Sequence, residues 1–199
     1  MIHIDKYMRV YIVLLIVPFV IYIINSKIRV LRDPSSFILR EINDISVFVT
    51  GGAGFIGHHV IKELQSRNIS VIGIDNFNDY YSPGLKYARA KQTDVVYDVD
   101  VCNKDSIQSM LLKHKITHVI HLAAQAGVRY SIEHPQAYVR SNVECFVQLL
   151  EVLKSTNIPL VYASSSSVYG KNTKVPFSES DPVVQPVSLY AATKRENEL

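Results

Sequence analysis

The sequence predicts an α/β domain built on a doubly wound, mostly parallel sheet, and three observations predict it. From residue 45 onward, apolar runs alternate with longer amphipathic stretches. Five of those runs are rich in valine and isoleucine, with helical patterns between them, which implies a sheet covered on both faces. The first run ends in a glycine-rich turn that opens a helix.

Taken in order, the strands expected are Ser46–Thr50, Ser70–Asp75, Val95–Val99, His118–Leu122 and Pro159–Ala163. Helices are expected near residues 55–67, 104–114, 135–154 and from 188 to the end. Ligands on such a sheet sit beyond the carboxyl ends of its strands. That rule selects Gly51–Gly57, Asp75, Asp100, Ala123–Ala124 and Ser164–Ser167.

Before the domain lies a different kind of sequence. Val10 to Ile24 reads VYIVLLIVPFVIYII, without a charge, and 17 residues separate Arg9 from Lys27. A bilayer span needs about 17 to 25 such residues. Residues 1–27 are therefore expected to hold an N-terminal hydrophobic helix, at about 10–26, that crosses a membrane. A buried or interfacial helix is the alternative. Residues 28–44 read as a linker, and 45–199 as the folded domain. The lysines and arginines flanking the stretch favour a membrane-anchored protein with its domain on the cytoplasmic side, or otherwise a cytoplasmic one.

A formal charge of +3 with no dense basic block gives no basis for a nucleic-acid partner. Cys102 and Cys145 lack metal-ligand or CxxC spacing and read as inert thiols. The histidines offer no convincing metal set, so no metal is expected. The serine run lacks a hydrolase elbow, and the glycine loop lacks the ending of a phosphate-transfer loop.

The run Val47-Phe48-Val49-Thr50-Gly51-Gly52-Ala53-Gly54-Phe55-Ile56-Gly57 is a strand, a turn and a helix start, the Rossmann arrangement for a dinucleotide. Gly51 allows the tight turn, Gly54 the approach of the pyrophosphate, and Gly57 close packing of helix on strand. Asp75 ends the second strand, where a carboxylate accepts from the ribose hydroxyls and favours NAD over its 2′-phosphorylated form. Asp100 and Val101 follow the third strand, placed for the adenine amino group and ring. Ala123 and Ala124 leave room for backbone beside the cofactor. Phe55, Ile56, Asn76 and Leu122 adjoin these positions and belong to the same expected NAD site.

Tyr190 and Lys194, in YAATK, stand one turn apart on one face of a helix. A free tyrosine is a poor base at neutral pH, and a neighbouring ammonium favours its phenolate. Lys194 is also placed to hold the nicotinamide ribose. Such pairs are common surface decoration, but here a strand first breaks into the hydroxyls of Ser164–Ser167. One of those hydroxyls can bond the substrate oxygen that Tyr190 deprotonates.

TGGAGFIG at 50–57, HLAAQAG at 121–127, SSSSVYG at 164–170 and YAATK at 190–194 together resemble the extended short-chain dehydrogenase/reductases. Within that family, DNFNDYY at 75–81 and QAGVRYS at 125–131 are similar to the UDP-glucuronate 4-epimerases. The resemblance implies Tyr190 as base, Lys194 as its partner and Ser165 as the catalytic hydroxyl. It places Asn142 and Tyr190 beside the cofactor, and Arg129, Ser165 and Ser166 beside the substrate; a surface ion pair would explain Arg129 as well. It implies NAD-dependent C4 epimerisation of a UDP-sugar, in polysaccharide precursor synthesis, through a transient 4-keto sugar. Related epimerases, dehydratases and decarboxylases, or an inactive NAD-binding fragment, are the alternatives. Ser165-Ser166-Ser167 lacks the acids that the dehydratases and decarboxylases carry there.

Only five residues follow Lys194, whereas family members continue through further strands and a small lobe that grips UDP. The C-terminal substrate lobe is therefore expected to be absent and the Rossmann domain incomplete, with a bare sheet edge, weak NAD binding and little turnover. A homodimer is expected of full-length members and not of this chain.

Overall fold

The computed structural model describes residues 10–13 and 45–199 of the chain. Among these, six parallel strands form one sheet: β1 Val10–Val13, β2 Ser46–Thr50, β3 Ser70–Asp75, β4 Val96–Asp98, β5 His118–His121 and β6 Leu160–Ala163. Their order is β1-β6-β5-β2-β3-β4. The chain builds outward from β2 to β4, then returns to place β5 on the other side of β2. That reversal opens the crevice between the ends of β2 and β5 where ligands of such sheets bind.

The helices are α1 Phe55–Ser66, α2 Pro83–Thr93, α3 Lys104–Lys113, α4 Tyr130–Glu133, α5 Pro135–Tyr138, α6 Cys145–Lys154 and α7 Leu189–Glu196. A π-helical stretch, Val139–Glu144, joins α5 to α6, and a 3₁₀ turn covers Ser166–Tyr169. The single helix expected over 135–154 is thus interrupted. Helix α2 was not expected from the sequence, and only Lys86 and Thr93 of it are buried.

Alternation along the strands feeds two separate cores. Val47, Val49, Val71 and Ile120 pack with Val60, Ile61 and Leu64 of α1 on one face. Phe48, Ile74, Val119, Leu160 and Tyr162 pack on the other, against Ile107 and Leu111 of α3 and Phe146 and Leu149 of α6. Each such side chain contributes about 1.5–3 kcal/mol on burial. Both faces are covered, as the valine-rich strands predict.

The N-terminal expectation is corrected. Val10–Val13, the start of the expected membrane helix, is a strand paired residue for residue with Leu160–Ala163. No helix among the described residues is long and apolar enough to cross a membrane. The anchor, and the membrane location drawn from it, are therefore set aside. The rest of that stretch and the linker lie outside the described residues. The same strand also occupies the edge of β6 that was expected to be bare.

Candidate active site

The turn after β2 is set by contacts on every side. Gly51 has φ +71°, and a Cβ there would meet the Ala123 backbone nitrogen at 2.8 Å. A Cβ on Gly57 would collide with the Gly51 carbonyl, so only glycine lets α1 start this close to the turn. The Gly52 N–H donates to the Ile74 carbonyl at 2.9 Å. The Ala53 N–H donates to Asp75 Oδ2 at 3.2 Å, and the Phe77 N–H to Oδ1 at 3.0 Å. The Asp75 carboxylate is buried and fixed by the turn it faces.

Gly51, Gly54, Phe55, Ile56, Gly57, Asp75, Asn76, Asp100, Val101, Leu122, Ala123 and Ala124 line one cavity of about 580 Å³. These are the expected cofactor positions apart from Asn142, Tyr190 and Lys194, which are not in its lining. Arg129, Ser165 and Ser166 are not in it either. The sequence reading missed Lys86, Arg89, Gln125, Ser141 and Cys145 as lining residues. Lys86 is buried, donates to Asn78 Oδ1 at 2.8 Å and lies 3.6 Å from Asp75 Oδ1. Its helix has no apolar periodicity to announce it.

Asn142 stands in the π-helical stretch and is 1% exposed. Its Oδ1 accepts from the Gln125 N–H at 2.7 Å, while its Nδ2 donates to the Gln125 carbonyl at 3.0 Å and to Thr193 Oγ1 at 3.1 Å. It therefore ties the cavity wall after β5 to the helix that bears Tyr190 and Lys194.

Ser188 caps α7, accepting from the Ala191 N–H at 3.0 Å. Tyr190 packs edge-on against Tyr138, with ring centroids 6.0 Å apart. The Lys194 ammonium is buried and donates to the Ala163 carbonyl at the end of β6, at 2.9 Å. Burial lowers its pKa to about 8. From the same strand end, Ser165 caps the 3₁₀ turn: its Oγ accepts from the Ser167 N–H at 3.2 Å and donates to Ser167 Oγ at 3.1 Å. Ser164 donates to Glu198. Arg129 is exposed at the start of α4.

Beneath these groups, Thr50 Oγ1 accepts from the Leu122 and Ala123 N–H groups, each at 3.1 Å. With both acceptor positions taken, its proton goes to His121 Nδ1, 2.8 Å away. His121 is then a neutral ring protonated on Nε2. Burial, and secondly the Lys194 charge, hold its pKa down to about 3.

The cysteines are corrected as well. Cys102 and Cys145 are joined as a disulfide across a sequence separation of 43, with Cα atoms 4.4 Å apart. Asp100, Cys102 and Cys145 hold their ligand atoms within 4.8 Å of one another. Bridged sulfurs offer no thiolate to a metal.

A profile of the NAD dependent epimerase/dehydratase family matches residues 47–199. UDP-glucuronate 4-epimerase 4 of Arabidopsis thaliana is 52% identical over 162 residues, covering 78% of this chain and 37% of its own. Protein CapI of Staphylococcus aureus is 48% identical over 160 residues, covering 78% of this chain and 48% of its own. Among solved structures, UDP-glucuronic acid 4-epimerase of Bacillus cereus, in complex with UDP-glucuronic acid and NAD, superposes with a TM-score of 0.71. It is 33% identical, and the match covers 77% of this chain and 50% of that one. The chain thus spans half or less of the length of these relatives.

Proposed function

The chain belongs to the NAD dependent epimerase/dehydratase family, and from that premise we propose that it serves an NAD-dependent 4-epimerase acting on UDP-glucuronate and UDP-galacturonate. The observation that carries the reading is the single cavity in which the glycine turn, Asp75 and Asp100–Val101 meet. Those residues fit the cofactor. Gly51 lets the turn pack against the Ala123 backbone, where a Cβ would clash, and a buried carboxylate closes the end of β3. The start of α1 turns backbone N–H groups toward the cavity, as a pyrophosphate requires.

Gly54, Phe55, Ile56 and Gly57 would hold the pyrophosphate, Asp75 and Asn76 the adenosine ribose, and Asp100 and Val101 the adenine. Leu122, Ala123 and Ala124 would run beside the nicotinamide half, with Asn142 supporting that wall from behind. Bound NAD supplies a reversible hydride acceptor for the sugar C4. Tyr190, as its phenolate, would take the proton from the C4 hydroxyl and become neutral phenol; Lys194 would stabilise the phenolate before that transfer and would hold the nicotinamide ribose. Ser165 turns its hydroxyl from Ser167 to the same sugar oxygen. By the family resemblance Ser166 and Arg129, which lie outside the cavity lining, would meet the sugar, the Arg129 guanidinium pairing with its carboxylate.

The test is to incubate the chain at high concentration with saturating NAD and UDP-glucuronate and to follow the sugar protons by NMR for slow conversion. Appearance of UDP-galacturonate, abolished by Tyr190→Phe, is expected. Unchanged conversion by Tyr190→Phe would overturn the reading.

A further inference from the structure

We propose that Cys102 and Cys145 form a thiol–disulfide pair that sets how tightly the cavity holds its dinucleotide. The proposal rests on the NAD reading of that cavity. Cys102 and Cys145 are the two cysteines of the 199 residues.

The bridge joins two walls of the cavity. Cys102 directly follows Asp100 and Val101, both lining residues, and its N–H donates to Asp100 Oδ1 at 2.9 Å. Cys145 lines the cavity itself and begins α6, directly after the π-helical stretch. That stretch carries Ser141, also in the lining, and Asn142, which grips Gln125. Across the gap, Arg140 meets Asp100 at 3.3 Å, a half-exposed ion pair of little strength by itself. The covalent link therefore adds to the burial of Val101 among α6 side chains in holding the adenine-side loop against that helix. Without it, the Asp100–Cys102 loop keeps the packing of Val101 in the core that α6 shares, its local hydrogen bonds and that ion pair, and gains freedom at Cys102 and Asp100. Ordering it on binding then costs affinity.

Cys102 is the more accessible of the two, while Cys145 is 2% exposed. A small-molecule disulfide such as oxidised glutathione meets Cys102 first. The Cys102 thiolate displaces one glutathione thiolate and forms a mixed disulfide; the Cys145 thiolate then displaces the second. Two protein thiols lose two electrons and two protons, and one glutathione disulfide becomes two thiols. Linkage makes the effect reciprocal. If the bridged form binds NAD more tightly by some factor, NAD shifts the thiol–disulfide equilibrium toward the bridge by the same factor.

The full chain is equilibrated in reduced and oxidised glutathione buffers. Free thiols are counted by mass after alkylation, and NAD affinity is measured on each form by calorimetry. The bridged form is expected to bind NAD at least about fivefold more tightly, the low end for coupled sites. Saturating NAD should move the glutathione midpoint toward the bridge by a matching factor. Cys102→Ser should bind like the reduced chain and ignore oxidant. Equal or weaker binding by the bridged form overturns the proposal and leaves the cofactor reading standing. So does a pair that stays reduced in oxidised glutathione, or an oxidant response in Cys102→Ser. A chain that forms the bridge yet binds NAD in neither state fails at the cofactor reading, and the proposal falls with it.

Discussion

Asn142 grips Gln125 by both of its backbone groups, accepting from the N–H at 2.7 Å and donating to the carbonyl at 3.0 Å. A single side chain thus stands in for a strand partner just where β5 has ended. Its remaining proton reaches Thr193, between Tyr190 and Lys194. The cavity wall after β5 and the helix that bears Tyr190 and Lys194 share one buried amide.

Asn142→Ala leaves the Gln125 N–H and carbonyl without these partners, at about 1–3 kcal/mol for each buried group. Denaturant unfolding should show a loss of about 3 kcal/mol. NAD affinity should fall with it, because the wall after β5 loses its support. A change within experimental error in both would refute the clamp.

Lys194 gives the site a pH limit. Burial holds its pKa near 8, below the ordinary lysine value of 10.5, so the cation is present at neutral pH and lost as pH rises through about 8. Turnover should fall on that alkaline limb. The sign for stability is opposite. Between the folded and unfolded values the unfolded chain holds more protons, so stability rises with pH across that window. Lys194→Met should lose turnover by about 10²–10⁴-fold and show no Lys194-linked rise in stability. Rate profiles and denaturant melts over pH 7–10.5 read both.

His121 governs the acid side. Its pKa is held down to about 3 by burial and by Lys194, against 6.5 when unfolded. Below 6.5 the unfolded chain takes up a proton that the folded chain refuses, so stability is lost as pH falls from about 6.5 toward 3. The slope from this one group is at most about 1.4 kcal/mol per pH unit. His121→Asn keeps an acceptor for Thr50 and removes the titration. Its stability should fall less steeply over that range, and an unchanged slope would contradict the assignment.

Much of this arrangement could be read from the residues, and the exceptions have physical causes. Strand β2, its glycine turn and Asp75 were legible because glycine spacing and an acid at a strand end each answer a local demand of the backbone. The β3 and α1 boundaries follow from periodicity, within a residue. Helix α2 was hidden because it buries Lys86 and Thr93 rather than an apolar stripe. Val10–Val13 was misread because an unbroken apolar run fits a buried strand as well as a helix, and only β6 decides between them. The π-helical stretch and the cysteine bridge depend on partners far away in sequence. Spacing alone could not bring Cys102 to Cys145 across 43 residues.

The proposed epimerisation requires that the sugar be oxidised and reduced again at C4 within one binding event. UDP-glucuronate deuterated at C4, incubated with the chain and NAD in ordinary water, tests it directly. The UDP-galacturonate formed should still carry deuterium at C4, because the hydrogen leaves and returns without meeting solvent. Product with solvent hydrogen at C4, or conversion that proceeds equally well in chain stripped of NAD, would contradict it.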